Sequence, residues 1–211
     1  MNHITLFGAS YSVYVRIVRL VLEELGIRYD LAEIDIFSKN GVPPEYLKRH
    51  PFGRIPAFEH DGFHLFETDA IVFYIVERFG GEALLPADVA ERARMRQIMR
   101  IIDNYGYRAL VWGIYVEETE RDRAGRLEQD ELERASMCLG VLEDLTGPLF
   151  LVGAHLSLAD LWVLPMLSYL KLAPSGAAML RNQPKLSGWL DRMHDRPSVH
   201  ATRFLAERAA S

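Results

Sequence analysis

The sequence predicts an α/β domain followed by an all-helical domain. Three observations support this prediction. Residues 1–80 have the pattern of a strand, a helix and a strand, followed by two strands and a helix. The regular spacing of apolar residues is interrupted at Gly80-Gly81 and Pro86, and after this interruption the apolar residues recur at helical spacing. A glycine pair and a proline between two such patterns are typical of a linker between domains. We therefore place an N-terminal domain at residues 1–80 and a helical domain at residues 87–211.

The first half of the N-terminal domain predicts a βαβ unit. An apolar strand at residues 3–7 precedes a loop of small and hydroxyl residues and a helix, whose N-cap is Ser12 and whose stop is Gly26. The polar face of this helix is expected to hold four charged residues, Arg16, Arg19, Glu23 and Glu24. Residues 32–36 alternate apolar and acidic side chains, which predicts a half-buried strand parallel to the first, because a helix connects them.

The second half of this domain is organised around a strand-turn-strand stretch. An Ile55-Pro56 bond opens an apolar strand, Asp61-Gly62 is typical of a two-residue hairpin turn, and a helix begins at Thr68. A cis Ile55-Pro56 bond leaves the N–H and C=O of Ile55 outside the strand ladder, where a peptide lying alongside can use both. The alternative is an ordinary trans proline, the commoner form in folded proteins.

The helix after the hairpin offers a second binding feature. Its unpaired N–H groups and positive dipole end at Thr68 favour a carboxylate, and Glu67 can pair with an ammonium group beside it. Together with Ile55, these residues predict a ligand that is peptide-like in the middle and amino-acid-like at one end. The alternative is an ordinary helix N-terminus without a ligand.

Helical periodicity extends through the second domain. A long segment at residues 89–118 contains Gly106 and Gly113, where we expect a bend or the close approach of a neighbouring element. Its aromatic side chains either line a pocket or pack in the core or a subunit contact, and periodicity leaves both open. A second helix at residues 127–145 carries Cys138 among apolar neighbours, which indicates a buried, inert thiol.

A capping box marks the start of the next helix. Ser157 and Asp160 have the spacing of that motif, which is a folding signal rather than a catalytic one. Pro165 inside the helix is expected to kink it, while Pro184 and Pro197 punctuate the last helical segments.

Composition excludes several classes of function. The 211 residues are 49% hydrophobic with a net charge of −5 and no basic run interleaved with aromatic residues, so we expect a soluble protein with no nucleic-acid partner. Without a targeting segment or an apolar stretch that could span a bilayer, we expect a cytoplasmic protein with no membrane contact. The single cysteine excludes a dithiol mechanism. His60 and His64 are expected at the surface, and no metal site is predicted.

Three segments become specific when they are taken together. They are Phe7-Gly8 with Ser12, Arg16 and Val18; Pro51-Phe52-Gly53-Arg54-Ile55-Pro56-Ala57 with Glu67-Thr68; and Ser157-Leu158-Ala159-Asp160-Leu161. In these segments, which extend over nearly the whole length, the chain resembles the glutathione transferase superfamily, most closely its serine-type phi and theta-like classes and their bacterial relatives. The resemblance implies a thioredoxin-like N-terminal domain that binds glutathione, an all-helical C-terminal domain, and a homodimer.

The resemblance also implies roles for individual residues. Ser12 falls on the position whose hydroxyl stabilises the glutathione thiolate, and Ile55 on the residue whose backbone pairs with the cysteinyl unit. Glu67 and Thr68 fall on the pair that holds the γ-glutamyl end. Lowering a thiol pKa of about 8.5 by roughly two units takes about 2.7 kcal/mol, which a hydroxyl hydrogen bond and a helix N-terminus can supply. Three other hydroxyls lie nearby and remain alternatives, those of Ser10, Tyr11 and Tyr14.

The glycine end of glutathione departs from the family pattern. Where phi-class members carry a His-Lys pair, this chain has Gly41-Val42, with three polar substitutes, Ser38, Lys39 and Asn40. Among these three, Lys39 is our candidate for binding the glycine end. Arg54 matches a basic residue that lies beside the tripeptide in the family, and the Ile55-Pro56 pair after it belongs to the same glutathione-binding segment. The second-substrate pocket is expected to be aromatic and partly apolar, with five candidates, Tyr11, Tyr105, Arg108, Trp112 and Tyr115.

The leading interpretation is an enzyme. Glutathione is its co-substrate, no metal is involved, and the thiolate attacks a small, largely apolar electrophile. Specialised glutathione-dependent etherases, dehalogenases and isomerases are alternatives, and so is a non-catalytic binding or regulatory protein of the same fold, as in the stringent-starvation and elongation-factor branches. The absence of a cysteine near Ser12 argues against the omega and beta classes.

Overall fold

The computed structural model describes residues 3–39, 41–121 and 127–209, so Asn40 lies outside the described residues. The chain divides into two compact units. The first is Met1–Glu82 with Ala201–Leu205, and the second is Ala83–His200 with Ala206–Ser211. The first break follows the Gly80-Gly81 linker closely. The sequence, however, assigned residues 201–205 to the helical domain, whereas the structure groups them with the first unit.

The first unit is built on a four-stranded sheet. Its strands lie in the order β2-β1-β3-β4, with β1 at Ile4–Gly8, β2 at Asp30–Glu33, β3 at Ala57–His60 and β4 at Phe63–Phe66. β1 and β2 are parallel, while the other two neighbouring pairs are antiparallel. The predicted succession of strands and helices and the parallel pairing of β1 with β2 are therefore confirmed. β2 lies earlier in the chain than the predicted residues 32–36, and beyond Glu33 the N–H of Ile34 donates to the carbonyl of Gly8 at 3.2 Å.

Three helices complete the first unit. α1 spans Val13–Glu24, α2 is a single turn at Pro44–Leu47, and α3 spans Thr68–Phe79. α1 and α3 pack against each other, and their buried side chains include Ile17 and Ile75, both without solvent exposure. Burial of such a side chain contributes roughly 1.5–3 kcal/mol. Packing rather than intrinsic propensity therefore holds these short helices.

Two arginines of α1 depart from the predicted amphipathic pattern. The polar-face prediction was wrong for Arg16 and Arg19, which are 0% and 9% exposed. Residues Ala201–Leu205 cover this side of α1: Arg19 Nη2 donates to the carbonyl of Ala201 at 3.2 Å, and the Arg16 guanidinium lies 4.3 Å from the centre of the Phe204 ring. Helical periodicity could not reveal this contact, because the covering segment lies at the far end of the chain.

The turn between β3 and β4 has the predicted conformation. Asp61 and Gly62 both have positive φ, 48° and 87°, as two-residue hairpin turns require. His64 is exposed as expected, but His60 is only 5% exposed. Its Nδ1 lies 2.8 Å from the hydroxyl of Tyr74. The surface prediction was therefore wrong for His60, because this end of β3 packs against α3.

The second unit contains helices of several types. They are α4 (Val89–Ile101), a π-helical segment (Ile102–Glu120), α5 (Gln129–Leu145), α6 (Leu158–Leu172), α7 (Pro174–Arg181), α8 (Pro184–His194), α9 (Pro197–Ala201) and α10 (Leu205–Ala209), after a 3₁₀ turn at Glu82–Leu84. Pro184 and Pro197 each begin a helix, as predicted. Among the described residues no single helix is long and apolar enough to cross a membrane. Only α6 and α7 taken together have that length and composition, and they are bent by 117° where they meet.

Both glycines of the π-helical segment lie at close contacts. A Cβ at Gly106 would lie 3.2 Å from Sγ of Cys138 on α5, and a Cβ at Gly113 would lie 2.7 Å from Oε2 of Glu131 on the same helix. The predicted close approach is therefore confirmed. Cys138 of α5 is 4% exposed, and burial raises the pKa of its thiol to about 11. This agrees with the predicted inert cysteine.

The capping box at the start of α6 is present. The carboxylate of Asp160 is fully buried and accepts hydrogen bonds of 2.8 to 2.9 Å from the Leu151 N–H, the N–H and hydroxyl of Ser157, and the Trp189 indole N–H. Burial raises its pKa, and these donors oppose that rise. Pro165 lies within α6, which continues to Leu172.

Candidate functional site

One end of the sheet collects most of the site residues predicted in the first unit. The strand register pairs Phe7 of β1 with Ala57 of β3, and Ala57 with Phe66 of β4. The chain beyond these paired residues therefore leaves the sheet in three neighbouring places: the loop from Gly8 to Ser12, the segment Arg54-Ile55-Pro56, and the pair Glu67-Thr68. Residues far apart in the sequence thus converge.

Gly8 lets the first turn of α1 approach Ile55. A Cβ at Gly8 would overlap Val15 and would lie 3.4 Å from Cβ of Ile55. Only a residue without a side chain allows this contact. Ser12 precedes Val15 by less than one helical turn, so Ser12 begins the helical turn that contacts Gly8.

Ser12 is the half-buried N-cap of α1. Its Oγ accepts a hydrogen bond from the N–H of Val15 at 3.4 Å, a long contact for a cap. An accepting oxygen keeps its own proton available, and within the described part of the chain no acceptor for that proton is present. Ser12 can therefore donate to an anion at the N-terminus of α1, where the helix dipole also favours negative charge.

The neighbouring phenol is already engaged. Tyr11 donates its hydroxyl proton to Oδ1 of Asp35 at 2.7 Å, and burial together with that carboxylate raises its pKa. Asp35 also accepts the N–H of Phe37 at 2.9 Å. The rings of Tyr11 and Phe37 stack with centroids 5.9 Å apart. These contacts favour Ser12 over Tyr11 as the activating hydroxyl and form an aromatic surface on the chain next to Ser12.

The segment before β3 presents a free peptide edge. The Ile55-Pro56 bond is cis, and across the described residues neither the N–H nor the C=O of Ile55 has a hydrogen-bond partner. Tyr46 fixes the preceding residue, because its hydroxyl donates to the carbonyl of Arg54 at 2.7 Å. Ile55 and Pro56 are buried, while the Arg54 side chain is exposed. The backbone of Ile55 is thus available to a peptide.

The start of α3 is also open. Glu67 has a φ of 72°, and its exposed carboxylate makes no capping hydrogen bond. In the described chain the N–H groups of Thr68 and Asp69 have no partner, whereas the N–H of Ile71 donates to the Glu67 carbonyl at 3.0 Å. A non-glycine residue at such a φ costs about 1–3 kcal/mol and is typical of functional sites. These groups can receive a carboxylate beside an ammonium group.

The predicted glycine-end residues are less well connected. Lys39 and Arg54 are both exposed. Arg54 and Glu67 both act electrostatically on His50, so each of them lies near that residue. Among the described residues no hydrogen bond or ion pair joins Lys39 to this group. The structure thus brings Arg54 to the candidate site, whereas the role of Lys39 stays a prediction.

The second-substrate candidates of the second unit lie in different environments. Arg108 and Trp112 line a cavity of about 550 Å³, and Tyr105 is 67% exposed. Tyr115 is buried, with its ring 4.4 Å from that of Tyr169, and burial raises its pKa to about 12. Both alternatives left open by the sequence therefore occur in one segment: some of these residues line a cavity and one packs in the core.

Sequence reasoning missed His50 and Phe37. His50 is 2% exposed, and its ring centroid lies 4.8 Å from that of Phe66, the residue before Glu67. Burial lowers its pKa, Arg54 lowers it further, and Glu67 acts in the opposite direction. A single histidine before a proline carries no pattern that points to this position. Near Phe37, the sequence shows only the alternation of apolar and acidic side chains up to residue 36. That pattern indicated a strand and did not point to a binding site.

Comparisons with known proteins agree with this geometry. The chain matches the family model described as glutathione S-transferase, N-terminal domain, over residues 6–83, and the one described as glutathione S-transferase, C-terminal domain, over residues 107–208. The chain belongs to the glutathione transferase superfamily. The superfamily expected from the three sequence segments is thereby confirmed.

Individual glutathione transferases match nearly the whole chain. The probable glutathione S-transferase GSTF1 of Oryza sativa subsp. japonica is 29% identical over 208 residues, 94% of each chain. Glutathione transferase F7 from Populus trichocarpa has a TM-score of 0.80 at 27% identity, covering 94% of this chain and 97% of its own. Glutathione S-transferase I, solved with lactoylglutathione bound, has a TM-score of 0.81 at 28% identity and the same coverage. A serine-type, phi-like placement within the superfamily fits these relatives.

Proposed function

We propose that the protein is a glutathione S-transferase that directs the glutathione thiolate at a small, largely apolar electrophile. The observation that carries this proposal is the convergence of Ser12, the free backbone of Ile55 and the open start of α3 at one end of the sheet. In the reaction, the thiolate sulfur forms a bond to the electrophilic carbon, and the leaving group departs with its bonding electrons.

Glutathione binding follows from the three open groups. The N–H and C=O of Ile55 pair with the cysteinyl unit, as one strand pairs with another. The N–H groups of Thr68 and Asp69 and the Thr68 hydroxyl receive the γ-glutamyl carboxylate, and Glu67 pairs with the adjacent ammonium group. This arrangement places the sulfur near the N-terminus of α1.

Thiolate activation uses Ser12 and the dipole of α1. A free thiol has a pKa of about 8.5, so a fall of two units requires about 2.7 kcal/mol in favour of the charged form. A hydrogen bond to a charged acceptor contributes about 1.5–3 kcal/mol, and a helix N-terminus about 0.3–2 kcal/mol. The two together reach the required value without any further group.

The glycine end is held by fewer groups than in the phi-class pattern. We assign its carboxylate to Arg54, with Lys39 as the second basic candidate. Both side chains are exposed, and exposed ion pairs contribute about 1 kcal/mol or less. Affinity for glutathione therefore depends mainly on the cysteinyl and γ-glutamyl ends.

For the second substrate, we propose contact with aromatic side chains. In the first unit these are Tyr11 and Phe37, which stack on each other and are 38% and 64% exposed. In the helical unit the candidates remain Tyr105, Arg108 and Trp112, with Tyr115 supporting the segment from the core. Large exposed aromatic surfaces are favourable for apolar, planar electrophiles.

The deciding experiment is retention on immobilised glutathione followed by a conjugation assay with a reactive aryl halide. Retention and turnover in the parent, with retention but little turnover in Ser12→Ala and reduced retention in Thr68→Val, support the proposal. A parent that neither binds the resin nor turns over favours the second candidate, a non-catalytic binding protein on the same fold. Binding without aryl conjugation directs the search to the etherase, dehalogenase and isomerase reactions.

Two further assignments complete the proposal. We place the enzyme in the cytoplasm, since its single cysteine, Cys138, is free and buried, as is usual in reducing compartments. We also propose a homodimer, because large apolar side chains such as Phe52 and Met137 are 72% and 73% exposed. Size-exclusion chromatography with light scattering tests the dimer, and a monomer mass at micromolar concentration contradicts it.

A further inference from the structure

A buried arginine close to Ser12 has no role in the mechanism described above. Arg16 lies in the first turn of α1, and its backbone N–H donates to the carbonyl of Ser12 at 3.0 Å. Its side chain has no solvent exposure. Burial of a guanidinium group is costly unless its partners are well placed. The contacts of this side chain therefore need an explanation.

Two of these contacts come from the C-terminal segment Ala201–Leu205. Arg16 Nε donates to Oγ1 of Thr202 at 3.5 Å, and its guanidinium carbon lies 4.3 Å from the centre of the Phe204 ring. Thr202 and Phe204 are themselves fully buried. A planar cation that stacks on a ring while donating from its edge is a geometry available to arginine and not to lysine.

Ser12 is held on two sides. Its own N–H donates to the carbonyl of Ala9 at 3.0 Å, and its carbonyl is fixed by Arg16. Arg16 therefore has two contacts at once: its backbone N–H makes the first hydrogen bond of α1, to Ser12, and its side chain attaches this turn to the C-terminal segment. Movement of this turn displaces the hydroxyl that we assign to the thiolate.

We propose that Arg16 is a positioning residue for the thiolate site, and that the C-terminal segment fixes the position of Ser12 through it. This inference rests on the proposed function. When the contact between Arg16 and Phe204 is lost, the first turn of α1 shifts and the hydrogen bond from Ser12 to the thiolate lengthens. The bound thiol then has a higher pKa, although the groups that hold the tripeptide are unchanged.

The test compares Arg16→Lys and Phe204→Leu with the parent. In each protein the thiol of bound glutathione is titrated by the ultraviolet absorbance of its thiolate, and turnover is measured against pH. We expect the thiol pKa to rise by about 0.5 to 1 unit, and turnover below neutral pH to fall by about three- to tenfold. The Michaelis constant for glutathione should change by less than about twofold, because binding groups are intact.

Two controls separate positioning from general destabilisation. Arg19→Lys perturbs the same helix and the same C-terminal segment through Ala201, but one turn further from Ser12, so it should lower the thermal midpoint without moving the thiol pKa. The double variant Arg16→Lys/Phe204→Leu should be no worse than either single variant, because both changes remove one contact.

The outcomes are distinct. A raised thiol pKa in both test variants, with an unchanged one in Arg19→Lys, supports the proposal. Test variants that titrate like the parent and lose only thermal stability overturn it, and so does an Arg16→Lys variant that behaves as the parent while Phe204→Leu does not. If the parent binds glutathione without any thiolate absorbance, the proposed function fails and this inference falls with it.

Discussion

Replacement of Ser12 by alanine is the most direct test of thiolate activation. The Ser12 hydroxyl accepts one long hydrogen bond, of 3.4 Å from Val15, and we propose that it donates its own proton to the sulfur. Its loss removes a charge-assisted hydrogen bond worth about 1.5–3 kcal/mol, which corresponds to a rise of about one to two units in the pKa of the bound thiol. At neutral pH, turnover should fall by about ten- to a hundredfold and recover in part as the pH rises.

The assay is conjugation of a reactive aryl halide at saturating glutathione, measured across pH beside thermal unfolding. Ser12→Ala also removes an N-cap, but the length of that bond predicts a cost at the low end of about 0.5–2 kcal/mol. Ser12→Thr is the matched control, because it keeps a hydroxyl at the cap. Tyr11→Phe should retain the pH profile, since the Tyr11 proton is already donated to Asp35.

Two results refute the reasoning. If Ser12→Ala keeps the rate and pH dependence of the parent while Ser10→Ala or Tyr11→Phe does not, the hydroxyl has been misassigned. If none of the three changes the profile, the loop does not activate the thiol. Ser12→Cys should behave differently from Ser12→Ala, because a thiol is a weaker donor and can form a mixed disulfide with glutathione.

Three further predictions address binding, folding and cysteine reactivity. Thr68→Val should raise the Michaelis constant for glutathione about tenfold or more while turnover changes little, since the hydroxyl is proposed to bind glutathione equally before and during the reaction. Thr68→Ser is the control, and an unchanged Michaelis constant removes Thr68 from the site. Asp160→Ala should lower the free energy of unfolding by about 3 kcal/mol or more, because four buried donors lose their acceptor; an unchanged urea midpoint contradicts this. Burial raises the pKa of the Cys138 thiol to about 11, so this thiol should not react with an aromatic disulfide reagent at neutral pH until the protein is denatured. Rapid reaction of the native protein would contradict its burial.

Elements with local signals at both ends could be predicted well. α3 spans Thr68–Phe79 as expected, because the sequence contains both the open start at Glu67-Thr68 and Gly80, whose φ of 75° ends the helix. The Asp61-Gly62 turn and the capping box of α6 were predictable for the same reason: each depends on residues that are neighbours in the chain. The parallel pairing of β1 and β2 followed from the helix that connects them.

Features set by distant contacts could not be predicted. The burial of Arg16 and Arg19 depends on Phe204 and its neighbours, and the burial of His60 depends on α3. In the candidate site, motif residues such as Ile55 were found because their spacing is specific. His50 was missed because its importance comes from packing against Phe66, a contact that no short pattern encodes.

The backbone of Glu67 has a consequence for attempts to make this protein more robust. At a φ of 72°, a glutamate backbone is strained by about 1–3 kcal/mol, whereas glycine adopts this conformation without strain. A screen for heat resistance in the absence of ligand should therefore enrich Glu67→Gly, since nothing in that screen rewards the carboxylate. The surviving clones would keep the fold but lose the carboxylate that we propose pairs with the ammonium group of glutathione, so they would gain stability and bind glutathione less tightly.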